Sequence, residues 1–184
     1  MLAAGILLCP LALYAQETPS RLAVQAYYFG ELATHPGGAA GGEYRLIEHD
    51  LYTLAGALVI GAYIHPRNHV GLFTRFDLIN RVTGRAGLVG ELVASAGYLA
   101  SIPHGDVYGY DEYGDVIVME NTHRHKLIAG IGLGSGWDFS KNGGASFIMS
   151  ARLNTFFEYP FNGYFLPHAA VELGGIYEID STGN

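Results

Sequence analysis

Charged residues recur at the centres of otherwise apolar stretches. They are Glu43, Arg45, Arg75, Asp77, Glu91, Arg152 and Glu172. In each stretch apolar residues alternate with polar or small ones, and side chains along an extended chain point alternately to opposite faces. The charged residues all fall on one face, opposite a face of Leu, Val, Ile, Ala, Phe and Tyr. Buried charges must pair, and Arg with carboxylates does so through directional, charge-assisted hydrogen bonds. The expected chemistry is therefore a mutually neutralised network that fills an interior, with an ion path as the alternative. Arg75 and Glu91, on sequential stretches, are expected to form one of its pairs.

The histidines offer a second chemistry. His65 and His69 form an H-x-x-x-H, and His123 and His125 an H-x-H, spacings that supply imidazoles to zinc or another transition metal. Both motifs sit in polar turns, where spacing fixes little geometry, so no metal and no cofactor is expected. Ser101, His104 and Asp106 offer a third. A nucleophile needs a base within hydrogen-bond reach, and loop residues without fixed spacing do not establish that. The expected protein is non-enzymatic.

The elements that position these residues repeat one unit. From 51 to 78 the chain reads LYTLAGALVIGAYI, then HPRNH, then VGLFTRFDL. Two long strands flank a polar tip. After the tip, Val70, Leu72, Thr74, Phe76 and Leu78 share one face, and Gly71, Phe73, Arg75 and Asp77 the other. Further strands are expected at 21–32, 38–46, 86–100, 125–139, 145–157 and 168–179. On the sixth, Gly130, Gly132, Gly134 and Gly136 make a bare stripe that leaves room for long side chains from strands across and beside it. Short turns are expected at 34–37, 47–50, 80–85 and 140–144. The two longest connections are 101–124 and 159–167, the first with its own hairpin around Gly114. The fold class is thus all-β, an eight-stranded antiparallel up-and-down transmembrane barrel with short inner turns and longer outer loops.

Composition agrees. The chain has 184 residues, 26 Gly, 13 Tyr and 9 Phe, and is 49% hydrophobic, yet no apolar run is long enough for a spanning helix. Residues 1–15 read as a signal peptide ending at Ala15, leaving 16–184 as one barrel domain. The only cysteine, Cys9, falls in that segment, so the mature barrel has no disulfide framework. A net charge of −7 without a basic tract excludes a nucleic-acid partner. The expected partners are membrane lipid and whatever meets the loops 101–124 and 159–167. Three alternatives stay open: a narrow pore, a lipid-modifying hydrolase or acyltransferase, and a secreted soluble carrier with its apolar face inside. The bulk of Phe76, Leu78, Phe147, Leu153 and Tyr177 argues against packing that face into so narrow a lumen.

Certain motifs carry a resemblance. They are His35-Pro36-Gly37 leading to Gly41-x-Glu43-Tyr44, the Arg67-Asn68-His69 tip, and Pro160-Phe161-Asn162-Gly163 followed by Leu166-Pro167-His168. On these the chain resembles small bacterial outer-membrane β-barrels of the OmpA/OmpX type and, more narrowly, outer-membrane barrels of similar length with no assigned activity. The resemblance implies the fold and the outer membrane. It also implies a closing aromatic near the C-terminus, for which Tyr177 is the nearest candidate.

Overall fold

The structure, a computed structural model, describes residues 21–32, 34–119, 123–161 and 164–179. The segment 1–15, read as a signal peptide, lies outside them. Eight strands close into a barrel: β1 (Leu22–Glu31), β2 (His35–His49), β3 (Tyr52–His65), β4 (His69–Thr83), β5 (Leu88–Pro103), β8 (Arg124–Asp138), β9 (Phe147–Phe161) and β10 (Tyr164–Glu178). Each pairs antiparallel with its neighbours, and β10 returns to pair with β1. Two short strands, β6 (Tyr108–Tyr110) and β7 (Val116–Val118), form a separate sheet between β5 and β8. Closure leaves no unpaired edge along the body of the ring, which is what lets a sheet cross lipid.

Burial alternates residue by residue. On β4, Phe73, Arg75, Asp77, Ile79 and Arg81 are buried, while Leu72, Thr74, Phe76, Leu78 and Val82 are exposed. The outside carries a band that includes Leu58, Ile60, Leu92, Ile131, Leu133, Leu153 and Leu173, all exposed. Exposed aromatics flank it at both ends: Tyr28, Tyr98, Phe157 and Tyr159 at one, Tyr44, Trp137, Phe139 and Tyr177 at the other. An apolar exterior over a charged interior is the polarity of a membrane barrel and the inverse of a soluble one.

Several strands run further than their turn-like residues suggest. β4 continues through 80–83, because Asn80, Arg81, Val82 and Thr83 keep the alternation; the turn comes after Thr83. β2 begins at His35, so His35-Pro36-Gly37 is strand rather than turn. It also runs to His49 through an irregularity between Arg45 and Ile47. The expected loop 159–167 is corrected most. β9 reaches Phe161 and β10 starts at Tyr164, so only 162–163 separate them. Pro167 sits inside β10 opposite Phe157, where β10 has β9 on one side and β1 has already ended. A residue without an N–H is tolerated where no second neighbour needs it. The compact turn at 140–144 is present as a 3-10 turn, Phe139–Asn142, closed by the left-handed Gly143.

The long connection holds the expected hairpin. Asp111 organises its tip: Asp111 Oδ1 accepts from the backbone N–H of Tyr113 at 2.9 Å and of Asp115 at 2.8 Å, and Gly114 takes a φ of +87°. Tyr108, Tyr110, Tyr113, Val116 and Val118 all stand in solvent.

Candidate functional site

The lumen divides into three levels. The lowest and largest is ionic. Arg81 donates from Nη1 and Nη2 to the two oxygens of Glu43, at 2.8 and 2.9 Å, and from Nε to Glu91 Oε1 at 2.8 Å. Arg152 Nε donates to Glu91 Oε2 at 2.7 Å, and Ser150 Oγ adds a hydrogen bond to the same oxygen at 2.9 Å. Arg75 Nε lies 2.9 Å from Asp77 Oδ1, and its Nη2 lies 2.6 Å from Glu172 Oε1. The Arg152 guanidinium stacks 4.7 Å from the centre of the Tyr27 ring. All of these charged side chains are buried. Nearer the end that holds His49, Arg45 pairs with Glu48 at 2.7 Å and with Glu178.

Arg81–Glu91 joins adjacent strands and Arg75–Asp77 lies within one, but the other contacts reach past a neighbouring strand or across the ring. β4 and β10 lie opposite one another in the strand order, so Arg75–Glu172 spans the lumen. Glu43–Arg81 skips β3, and Glu91–Arg152 skips β8. The bare wall of β8 makes the second possible. A methyl on Gly134 would lie 2.9 Å from Arg152 Cγ and 3.0 Å from Glu91 Oε2. The expected residues Glu43, Arg45, Arg75, Asp77, Glu91, Arg152 and Glu172 therefore all face the lumen, but the pairing differs. Arg75 does not meet Glu91. Reading the turn at 80–85 sets those two opposite each other, whereas the later turn sets Arg81 opposite Glu91 and Gly97 opposite Arg75. Arg81, hidden in a supposed turn, is the residue that sequence reasoning missed. The inward parity it shares with Arg75 and Asp77 was the available signal.

Above the charges lies an apolar level built from Phe29, Tyr63, Phe73, Leu99, Ile128 and Phe156. Phe29 and Phe73 pack with ring centres 4.8 Å apart. The void among these residues is about 20 Å³, space for roughly one water.

The third level is an open cup of about 690 Å³ at the outer mouth. Glu31 sits between His35 and His168, with His168 Nδ1 at 2.7 Å; Glu158 lies 3.3 Å from His168 Nε2 and pairs with Lys126. The His35 and His65 rings stack at 3.8 Å between centres, and His65 and His69 at 5.4 Å. His125 faces outward, stacked on Tyr98, and His123 is exposed, so neither joins His65 and His69. Among the described residues no group of three or more His, Cys, Asp or Glu side chains is arranged to hold a metal ion. Ser101, His104 and Asp106 all line the cup, and Ser101 Oγ has no hydrogen-bond partner there.

Fold and interior together define the class: an eight-stranded, antiparallel, up-and-down transmembrane β-barrel. No family model and no curated protein matches the chain. Among solved structures it is similar to Neisserial surface protein A (NspA), with 11% identity over 89% of this chain and 100% of that one, at a TM-score of 0.59. A second match is the N-terminal β-barrel domain of Pseudomonas aeruginosa OprF, 18% identical over 87% of this chain and 100% of that domain, at a TM-score of 0.47. At such identities the NspA likeness establishes the fold and nothing finer.

Proposed function

We propose that this chain is a non-enzymatic outer-membrane protein with a lumen closed by its own side chains, and that it serves as a rigid surface platform. Residues 1–15 direct export and 16–184 form the single barrel domain. The observation that supports this reading is the succession of side chains inside the ring, from the cross-braced charges around Arg75, Arg81 and Arg152 to the Phe29–Phe73 level. An eight-stranded interior is narrow enough for side chains to occupy it. The part left to act outward is the hairpin β6–β7. Its exposed tyrosines are suited to contact, and Asp106, Asp111, Glu112 and Asp115 make it acidic. A partner with a basic, partly apolar face fits it. The ends of β9 and β10 stand beside it on the same side of the barrel, and Tyr159, Tyr164 and Phe165 there add exposed aromatic surface.

Planar-bilayer recording tests the closed lumen. The purified barrel is expected to insert without conductance steps. Steady single-channel currents would replace the platform with a pore.

A further inference from the structure

The outer cup has hydrogen-bonding capacity that the fold does not use, and that capacity is mostly of one kind. Its two deep carboxylates are already taken: Glu31 by His35 and His168, Glu158 by Lys126 and His168. What remains is able to donate: the guanidinium groups always, a hydroxyl by rotation, and an imidazole nitrogen in the tautomer that carries its proton. Ser101 is 5% exposed, points into the lumen from β5, and its Oγ has no partner. His65 Nδ1 is buried and equally without one. Arg124, the cross-strand neighbour of Ser101, and Arg67 at the β3–β4 tip bring guanidinium groups to the same wall and rim. Against these the rim offers one further carboxylate, Asp106. A buried hydroxyl and imidazole nitrogen left unsatisfied are costly, and a native structure that keeps them does so for a reason.

The floor also matters. The apolar level beneath has room for about one water, so the cup is a dead end rather than a vestibule to a channel. A concave site lined by polar groups over an apolar floor has the form of a small-ligand pocket.

We propose that the outer cup binds a phosphate oxyanion, held by Arg124, Arg67, Ser101 Oγ and His65. Oxyanions carry acceptors only, which matches the surplus of donors, and guanidinium groups recognise them in two-pronged fashion. The phosphate comes either free or on a lipid headgroup at the rim. The inference needs the closed floor but no partner for the hairpin, so the bilayer recording tests the floor separately.

The experiment is calorimetric titration of the refolded barrel in maltoside micelles, at constant ionic strength in chloride. Inorganic phosphate is one titrant and short-chain phosphatidic acid the other. Saturable one-site binding of inorganic phosphate supports the proposal with a free anion. Binding of phosphatidic acid alone supports it with a headgroup. Arg124→Gln and Ser101→Ala should each weaken binding by about tenfold or more, because each removes a hydrogen bond to a charged group. His49→Gln, at the opposite end, should leave it unchanged. Retained heat-modifiable migration on gels checks that each variant is folded. Binding of neither titrant overturns the proposal, as does binding indifferent to both cup variants, or a cup that takes zinc but no phosphate.

Discussion

The two ends of the lumen contain similar residues and treat them differently. In the inner half each guanidinium meets carboxylates across the ring, and Arg81 and Arg152 share Glu91 between them. In the inner half unpartnered atoms such as Arg152 Nη1 and Asn154 Nδ2 are enclosed by packed side chains, whereas in the outer half Ser101 Oγ and His65 Nδ1 border an open space. One half is a brace and the other a receptacle. Unpartnered polar atoms occur in both halves, but only those of the cup border a space that a solute can enter.

The contrast makes graded expectations. Arg81→Met should have the largest effect, because it leaves Glu43 and Glu91 short of a buried partner; the loss is about 3–5 kcal/mol, read from urea unfolding of the barrel in lipid vesicles. Pairing it with Glu43→Gln should cost less than the two single losses added. Strict additivity would mean that the brace is packing and not charge. Ile131→Arg, on the lipid face of the same barrel, should cost about 2–4 kcal/mol in that assay if it lies near the midplane. Gly134→Ala should follow at about 1–3 kcal/mol, since the methyl presses on Arg152 and Glu91. Gly132→Ala also meets a side chain, since its methyl presses on Asn154 Oδ1, but that amide end can swing aside, so its cost should be smaller than at Gly134. Smallest of all is Ser101→Ala in the cup, within about 0.5 kcal/mol, because no partner is lost. A loss above about 2 kcal/mol there would make the cup a second brace.

A labelling experiment sharpens the same division by face. With single cysteines from Leu127 to Gly136 and a lipid-soluble quencher, the odd positions should be reached and the even ones spared. The opposite phase would put the apolar face inside, and the membrane reading would fall.

The faces were legible in the sequence because alternation is a local signal. Every charged residue singled out from parity stands in the lumen, and the glycine stripe of β8 lies on the wall that parity gives it. Register was not legible, because it depends on where the turn closes. Asn80–Arg85 is rich in residues that favour turns, and reading them as one displaced the partner of Glu91 and hid Arg81. Pro160 and Pro167 misled in the same way: prolines end strands that need both neighbours, but not the overhang of β9 and β10 beyond β1. The cup was the least legible part. It joins Glu31, His65, Ser101, Glu158 and His168, and nothing local brings these positions to one place.

The cross-bracing also bears on how the barrel enters lipid. Glu43 needs β4, Arg152 needs β5, and Glu172 needs Arg75 from the far side of the ring. A sheet of the same strands with β1 and β10 still apart keeps Arg81 with Glu91, on paired strands, but holds Glu172 away from Arg75 and Glu178 away from Arg45. Moving such a sheet into hydrocarbon would carry unneutralised charge with it, at a cost of several kcal/mol per ion. Complete neutralisation therefore waits on ring closure, which favours holding an open intermediate at the aqueous boundary until a cooperative, late insertion.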